Sequence, residues 1–223
     1  MQSRICAVFD LDDTLFLERD YIRSGFEAVG LWVARWLHLS DFADRCWTEF
    51  NEGRRGNIFD LVLRQTDWVE NPNLVAAMVA IYRTHMPSIE LLPDARDALK
   101  ELKGSCPIAV ITDGPVTSQS RKVEALGIDF IASPIILTEV MGGQYRKPHP
   151  RAFEQIARDF SSRTYVYIAD NPLKDFNAPS ALKWTTIRIR RRGSLHFDTE
   201  NSAIRPDYEL PDCSSLFDIL KDI

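Results

Sequence analysis

Short apolar runs alternate with helix-like segments from Pro93 to the end of the chain. The runs predict strands over 107–111, 135–137, 164–169, 185–190 and 207–210. The intervening segments predict helices over 93–103, 116–126, 150–160, 172–182 and 214–219. Strands that alternate with helices form parallel sheets with helices on both faces. The pattern therefore predicts an α/β fold with a Rossmann-like parallel sheet core.

The first 88 residues follow a different pattern. Residues 5–9 form a further apolar run, but no convincing strand follows between 16 and 86. Helical periodicity predicts helices over 21–37, 41–50, 57–65 and 72–85. Phe26, Val29, Val33 and Trp36 recur at helical spacing in the first of these, and the aromatic stripes of these helices are typical of a core. We therefore expect an α/β core made of residues 1–16 and 89–223, interrupted by an all-helical insertion at residues 17–88.

Three carboxylates in four positions follow the first predicted strand. The segment reads Asp10-Leu11-Asp12-Asp13-Thr14. Buried carboxylates are costly unless they are paired or bind a cation, and ligands of open α/β sheets bind at the carboxyl ends of strands. The cluster is consistent with a site for a hard cation. It is also consistent with a solvated acidic turn, or with a helix N-cap at Asp12 or Asp13.

Three later segments carry polar groups near other predicted strand ends. Thr112-Asp113-Gly114 follows the second strand, and Asp170 and Asp175 follow the strand over 164–169. Lys147 lies in Arg146-Lys147-Pro148-His149-Pro150, where the prolines restrict its backbone. Simpler interpretations are a helix cap at Thr112 or Asp113 and an ordinary surface lysine at Lys147.

In this order, the four clusters resemble the four motifs of the haloacid dehalogenase (HAD) superfamily of phosphohydrolases. The resemblance spans essentially the whole chain. It implies that Asp10 is a nucleophile that forms an aspartyl-phosphate and that Asp12 is the general acid and base. It also implies Mg²⁺ as cofactor, bound by the Asp10 side chain, the Asp12 backbone carbonyl and the Asp170 carboxylate. Asp175 then orients a metal-bound water.

The resemblance also implies how phosphate is bound and where the insertion belongs. Thr112 and Lys147 hold phosphate oxygens, and Lys147 is also a catalytic residue. The backbone amides of Leu11, Asp113 and Gly114 are further hydrogen-bond donors to the phosphate. The insertion at 17–88 resembles the C1 cap of the superfamily, which excludes water and selects substrates.

The residues favour phosphate chemistry over dehalogenation. An ester leaving group needs a proton donor whereas a halide does not, and Asp12 is present to serve as one. The first hypothesis is a Mg²⁺-dependent phosphomonoesterase that acts on a small phosphorylated metabolite. A phosphomutase or phosphotransferase that uses the same intermediate, or a nucleotidase, is the alternative. A catalytically silent binding module is disfavoured because the nucleophile, acid and lysine are all present.

For two clusters of arginines the sequence allows both a functional and a structural interpretation. Arg54 and Arg55 lie between glycines in the insertion and are candidates for substrate specificity, or they belong to a solvated loop. Residues 188–192, Arg-Ile-Arg-Arg-Arg, could attract a nucleotide or an acidic polymer. A solvated strand end is the favoured interpretation of that run.

Composition narrows the location and the partners. The net charge is -5 over 223 residues, which gives no reason to expect nucleic acid as a partner. No apolar stretch is long enough to cross a bilayer, and no signal peptide is expected. The four cysteines are scattered and predict buried thiols in a reducing compartment. These features favour a cytoplasmic protein whose partner is its small phosphorylated substrate, and they leave the oligomeric state open.

Overall fold

The computed structural model describes residues 5–66, 71–160, 164–200 and 204–223. Short stretches of both predicted regions therefore lie outside the described residues. The chain divides into two compact units. The larger unit contains the chain up to Arg19 and from Ile89 onward, and the smaller one contains Asp20–Ser88.

Six strands and nine α-helices occur in the described parts of the chain. The strands are β1 Ile5–Phe9, β2 Ile108–Thr112, β3 Ile135–Leu137, β4 Thr164–Ala169, β5 Thr185–Ile189 and β6 Tyr208–Leu210. The helices are α1 Glu18–Leu37, α2 Phe42–Asn51, α3 Ile58–Arg64, α4 Pro72–Thr84, α5 Pro93–Leu102, α6 Val116–Leu126, α7 Arg151–Asp159, α8 Asn177–Ala181 and α9 Leu216–Asp222. Short 3₁₀ turns cover 128–130, 138–141 and 143–145.

The strands of the larger unit form one parallel sheet in the order β3-β2-β1-β4-β5-β6. β1 lies between β2 and β4, where Phe9 is opposite both Val110 and Ile168. Central strands of a parallel sheet are covered on both faces, which explains why Cys6–Phe9 and all of β2 are buried. The fold is the predicted α/β class with a Rossmann-like parallel sheet.

One face of the sheet packs against α7 and the segment around α8. Cys6 and Val8 alternate with residues of the opposite face and pack with Phe153, Tyr167 and Trp184. The ring of Phe153 lies edge-on to Tyr167 at 4.9 Å and to Trp184 at 5.6 Å. This packing fixes β4, the strand that carries Tyr167 and ends just before Asp170.

The smaller unit is built from the aromatic stripes of its helices. Phe26 of α1 lies 6.4 Å from Phe50 of α2, 6.0 Å from Phe59 of α3 and 6.0 Å from Tyr82 of α4, measured between ring centroids. The stripes are therefore mainly core. Trp36 is an exception, because 60% of its surface is exposed near the end of α1.

The predicted helix over 172–182 is mostly wrong. Only Asn177–Ala181 is helical, and turns precede it. The side chain of Asn171 accepts a hydrogen bond from the Leu173 amide at 3.0 Å, and the side chain of Asp175 accepts from the Asn171 amide at 3.0 Å. Side-chain acceptors of this kind compete with helical hydrogen bonds, so the segment turns instead.

The favoured interpretation of the basic run, a solvated strand end, is wrong for Arg188 and Arg191, whereas Arg190 is partly exposed and Arg192 is exposed. Arg188 is 1% exposed and Arg191 is 8% exposed. Arg188 donates to the backbone carbonyls of Asp170, His196 and Thr199. These arginines are structural because they satisfy buried carbonyls that the sequence alone does not identify.

Among the described residues, no helix has both the length and the apolar character to cross a membrane. The cysteines are free, and Cys6, Cys46 and Cys213 are buried as expected, whereas Cys106 is only half-buried. Burial raises the pKa of the Cys6 thiol to about 12, which leaves it protonated.

Candidate active site

The residues predicted from three strand ends meet at one edge of the sheet. Asp10 follows β1, Thr112 ends β2, and Asp170 follows β4. These strands are parallel neighbours, so their carboxyl ends lie side by side. The Asp10 amide donates to the Ile168 carbonyl at 2.8 Å, which extends the β1–β4 pairing to the nucleophile candidate.

Lys147 reaches this cluster from the segment before α7. Its Nζ lies 2.6 Å from Oδ1 of Asp10, 2.7 Å from Oδ1 of Asp175 and 3.0 Å from the Tyr167 hydroxyl. Its side chain is fully buried, so it is not the ordinary surface lysine of the alternative interpretation. Burial alone lowers the pKa of Lys147, but the Asp10 and Asp175 carboxylates raise it well above its usual value. The ammonium therefore stays charged at neutral pH.

The cluster contains three buried carboxylates, and the single positive charge of Lys147 does not balance them. Oxygen atoms of Asp10, Asp170 and Asp175 lie within 4.8 Å of one another, and all three residues are buried. Burial raises the pKa of Asp10 to about 6, against the opposing effect of Lys147. Burial, Asp175 and Asp10 raise the pKa of Asp170 well above its usual value. Such shifts indicate negative charge that the protein itself does not neutralise.

Asp170 provides a direct test of whether a cation fits. Its Oδ2 is buried and has no hydrogen-bond partner among the described residues. Buried polar atoms without partners are uncommon and call for a physical explanation. Hard divalent cations prefer carboxylate oxygens, so Asp170 and Asp10 have the donor chemistry to hold one. The residues therefore fit a divalent metal ion.

Asp12 lies beside this cluster but faces different partners. Its Oδ1 is 2.6 Å from Nζ of Lys122, and its Oδ2 accepts from Nε2 of Gln119 at 2.9 Å. The side chain is 18% exposed, so it remains partly accessible. A hydrogen bond from the Leu15 amide to the Leu11 carbonyl, 3.0 Å long, closes the turn that carries it.

Asp13 lies five positions before α1 and is therefore not its N-cap residue, although it holds the first turn of that helix. Its side chain accepts from the Glu18 amide at 2.9 Å, at the start of α1, and from the Leu195 amide at 2.7 Å. Burial raises its pKa to about 6, although both backbone donors lower it. The extra acid of the first motif therefore joins three segments of the larger unit.

The second motif surrounds the end of β2. Thr112 is fully buried, and its hydroxyl oxygen accepts from Nε2 of Gln119. Asp113 accepts from the Thr138 hydroxyl at 2.6 Å and from the Lys147 amide at 3.2 Å, which fixes the backbone that presents the lysine. Gly114 has a φ of +137°, in the region that favours glycine. Neither Thr112 nor Asp113 caps α6, since its N-cap residue is Pro115 and makes no side-chain cap bond.

Asp175 is fully buried and held from two sides. Its Oδ1 contacts Lys147, and its Oδ2 accepts from the Asn171 amide at 3.0 Å. Both oxygens are therefore already engaged with the protein. This supports an orienting role better than a direct ligand role.

Four side chains of the site were not predicted from the sequence. They are Gln119, Lys122, Tyr167 and Lys174. Gln119 and Lys122 are three positions apart on α6, a spacing that places both on one helix face, and this was the one available signal. Tyr167 lies inside an apolar strand, where a core position is expected. The Lys174 ammonium is 3.6 Å from Asp113, and the carboxylates of Asp175 and Asp10 raise its pKa against the opposing effects of burial and Lys147.

Arg54 and Arg55 belong to the smaller unit and make local contacts there. Nη1 of Arg55 donates to the carbonyls of Phe50 at 2.8 Å and Arg54 at 2.6 Å, and its guanidinium lies 4.1 Å from the centre of the Phe50 ring. Arg54 is 61% exposed at its side chain and lies 3.6 Å from Glu49. Arg54 is therefore the freer of the two to meet a ligand.

Comparison with known families agrees with this geometry. The family model described as haloacid dehalogenase-like hydrolase matches residues 6–178. The chain belongs to this family. The matched residues include all four motifs, from Asp10 to Asp175, so the prediction of the HAD superfamily is confirmed.

Two curated relatives of this HAD-like hydrolase have names that state an activity. A glyceraldehyde 3-phosphate phosphatase of Methanopyrus kandleri is 26% identical over 230 residues, which cover 97% of each chain. A protein of the same name from Pyrococcus furiosus is 25% identical over 167 residues, which cover 73% of this chain and 68% of the relative. The enzyme class predicted for this chain, a HAD-like phosphatase, agrees with both relatives.

Solved structures show the same fold over the whole chain. A magnesium-bound HAD-hydrolase of Bacillus subtilis has a TM-score of 0.68 at 17% identity and covers 99% of both chains. The L-2-haloacid dehalogenase of Xanthobacter autotrophicus has a TM-score of 0.63 at 17% identity and covers 100% of both chains. Since both phosphatases and dehalogenases share the family, the fold does not decide between these reactions.

Proposed function

We propose that this protein is a Mg²⁺-dependent phosphomonoesterase that hydrolyses a small phosphorylated metabolite through an aspartyl-phosphate. The observation that carries the proposal is the charge of the buried cluster. Oxygens of Asp10, Asp170 and Asp175 lie close together, and the buried ammonium of Lys147 contacts only Asp10 and Asp175 among these three. One Asp170 oxygen has no hydrogen-bond partner among the described residues. A divalent cation and a phosphate group together complement such a site.

The Asp10 side chain, the Asp12 backbone carbonyl and the Asp170 carboxylate are the proposed Mg²⁺ ligands. Bound there, the ion supplies charge neutralisation for the phosphoryl oxygens. The Asp12 side chain is not among the proposed ligands, because its two oxygens already accept from Lys122 and Gln119. Asp175 holds Lys147 and the Asn171 amide, and in this way it keeps the lysine and the strand end in place.

In the first step, a carboxylate oxygen of Asp10 attacks phosphorus and the bond to the leaving oxygen breaks. Asp12 gives its proton to that oxygen, so the alcohol leaves neutral. In the second step, Asp12 takes a proton from water, the water oxygen bonds to phosphorus, and the Asp10–phosphorus bond breaks. Thr112 and Lys147 hold the non-bridging oxygens throughout, Lys147 as a point charge and Thr112 as a neutral donor.

Asp12 favours ester hydrolysis over dehalogenation. A halide leaves without a proton, whereas an alcohol needs one. Lys122 and Gln119 of α6 hold both oxygens of Asp12. Dehalogenation does not require an acid at this position, so it gives no reason for these contacts. The names of the two curated relatives add a candidate substrate, glyceraldehyde 3-phosphate.

A screen of phosphate release tests the proposal. Glyceraldehyde 3-phosphate, other sugar phosphates, acid phosphates and nucleoside monophosphates are each incubated with the enzyme and Mg²⁺, with Asp10→Ala as the blank. We expect release of free phosphate from at least one monoester and none from the blank. Absence of release across the panel would contradict the proposal, and a requirement for an activating bisphosphate would favour a phosphomutase.

A further inference from the structure

The carboxylate of Asp12 is held by two side chains of one helix. Nζ of Lys122 lies 2.6 Å from Oδ1, and Nε2 of Gln119 donates to Oδ2 at 2.9 Å. Lys122 is 3% exposed and Gln119 is 1% exposed, so both are buried polar groups aimed at the same acid. Burying such groups is costly unless they make specific hydrogen bonds. The contacts of Lys122 and Gln119 with Asp12 therefore offset the cost of burying these two polar side chains.

The amide of Gln119 links Asp12 to the hydroxyl of Thr112. Nε2 has two hydrogens, and the structure places Asp12 Oδ2 and Thr112 Oγ1 as their acceptors. A carboxylate only accepts, so the amide nitrogen, not its oxygen, must face Asp12. Because Thr112 Oγ1 accepts from Gln119, its own hydroxyl hydrogen is left to donate to another group.

Gly114 leaves the space that Gln119 occupies. A Cβ at position 114 would lie 3.2 Å from both Cγ and Cδ of Gln119. The φ of +137° at Gly114 also disfavours a side chain there. The turn that begins α6 and the reach of Gln119 toward the strand end are thus parts of one arrangement.

We propose that Gln119 and Lys122 are positioning residues that fix the orientation of the Asp12 carboxylate toward the leaving group. This inference rests on the proposed phosphomonoesterase activity. Each carboxylate oxygen has more than one acceptor site, so Asp12 can keep both donors and still face the substrate. Proton transfer depends strongly on geometry, and a misplacement of about 1 Å costs roughly 10²-fold in rate.

The test compares two substrates of nearly equal shape. Phenyl phosphate releases a strongly basic phenolate that benefits from protonation, whereas p-nitrophenyl phosphate releases a weakly basic one that leaves without it. For Lys122→Met and Gln119→Leu, we expect kcat/KM for phenyl phosphate to fall roughly 10- to 100-fold more than for p-nitrophenyl phosphate. Arg121→Met is the matched control, since Arg121 lies on the same helix and pairs with Glu124 at the surface.

Equal losses on both substrates, or no loss on either, would overturn the proposal. If Lys122→Met fails to fold, Lys122→Arg keeps the charge and displaces the donor, and we expect a smaller loss that is still selective for phenyl phosphate. An Arg variant that loses both activities equally also overturns the proposal.

A crystal structure of Gln119→Leu separates this inference from the proposed function. If the wild type releases no phosphate from any monoester, the proposed function has failed. The positioning inference is then decided by the Asp12 side chain, which we expect to rotate away from its wild-type orientation in the variant. An unchanged Asp12 carboxylate would overturn the inference whether or not the protein is a phosphatase.

Discussion

Nζ of Lys147 lies 2.6 Å from Oδ1 of Asp10, although the two residues are 137 positions apart in the chain. Both side chains are almost completely buried. An ion pair in such surroundings survives only with further hydrogen bonds, and the lysine donates these to the Tyr167 hydroxyl and the Asp175 carboxylate. This contact joins the first and third motifs, and the expected effects of replacing either residue depend on it.

Replacement of the lysine tests the electrostatic balance of the cluster. Lys147→Met leaves the Asp10 and Asp175 carboxylates without the buried ammonium that contacts both of them. We expect the free energy of unfolding to fall by about 3–5 kcal/mol, because a broken buried pair leaves unpaired charge. Urea denaturation at neutral pH measures this. A variant as stable as the wild type would show that these carboxylates do not repel one another strongly.

Replacement of the proposed nucleophile separates activity from stability. Asp10→Asn keeps the shape of the side chain but cannot form the acyl-phosphate, so we expect turnover to fall at least about 10⁴-fold. The fold should persist because Lys147 retains Asp175. Phosphate release and circular dichroism measure the two properties. Asp218→Asn, at an 84% exposed side chain, is the control, and near-normal kcat in Asp10→Asn would show that the nucleophile is misassigned.

Removal of metal should abolish activity, and Mg²⁺ should restore it. A bound ion would also relieve repulsion in the cluster, so we expect Mg²⁺ at 100 times its Kd to add about 2.7 kcal/mol of stability. A thermal melt with and without MgCl₂ measures this gain. We expect Asp170→Asn to lose most of it, since the unpartnered oxygen belongs to Asp170. Full activity in the presence of a chelator would contradict a metal-dependent mechanism.

Replacement of Arg54 and of Arg55 in the smaller unit should affect different properties, substrate binding for Arg54 and stability for Arg55. Arg54 is exposed and only loosely paired with Glu49, so we expect Arg54→Ala to raise KM about tenfold if the arginine holds an anionic substrate group. Arg55→Ala removes the contact with the Phe50 ring and should cost about 0.5–1 kcal/mol of stability. Steady-state kinetics and thermal melts distinguish these effects. Unchanged KM in both variants would remove the arginines from substrate binding.

The pair formed by Asp94 and Arg191 predicts a pH-dependent contribution to stability. Asp94 accepts from Nη1 and Nη2 of Arg191 at 3.0 and 2.6 Å and from the Cys213 amide at 2.9 Å. Burial alone raises the pKa of Asp94, but these donors lower it below its ordinary value of 3.8. The contribution is therefore present above pH 3.8 and is lost as the pH falls through the lowered pKa.

Asp94→Asn measures this contribution. We expect it to lower the free energy of unfolding by about 2 kcal/mol at neutral pH, because it weakens hydrogen bonds to a charged partner. Urea titrations should give a constant difference from wild type down to about pH 5 and a shrinking one below that. A difference that grows on acidification would contradict the sign of the shift.

Local patterns were sufficient to predict the sheet and four motifs. Buried parallel strands require continuous apolar runs, and the runs ending at Phe9 and Ala169 were visible as such. Polar residues that follow such runs must lie at the sheet edge, which is why Asp10, Thr112 and Asp170 were predicted to converge. The predicted helix over 172–182 was mostly wrong because the side chains of Asn171 and Asp175 accept hydrogen bonds from backbone amides. Whether such side chains bond to the backbone depends on their tertiary surroundings.

The sequence by itself determined the parallel α/β core, because strand periodicity is a local property. The acids, hydroxyl and lysine of the site were predicted from strand-end polarity together with the resemblance to the four HAD motifs. Only the tertiary structure decided which side chains hold those groups. Gln119 and Lys122 reach Asp12 from 107 and 110 positions away, and Arg188 is buried against carbonyls that no pattern marks. Contacts at such separations depend on how the elements pack, so the partners of a polar residue emerge only from the folded chain.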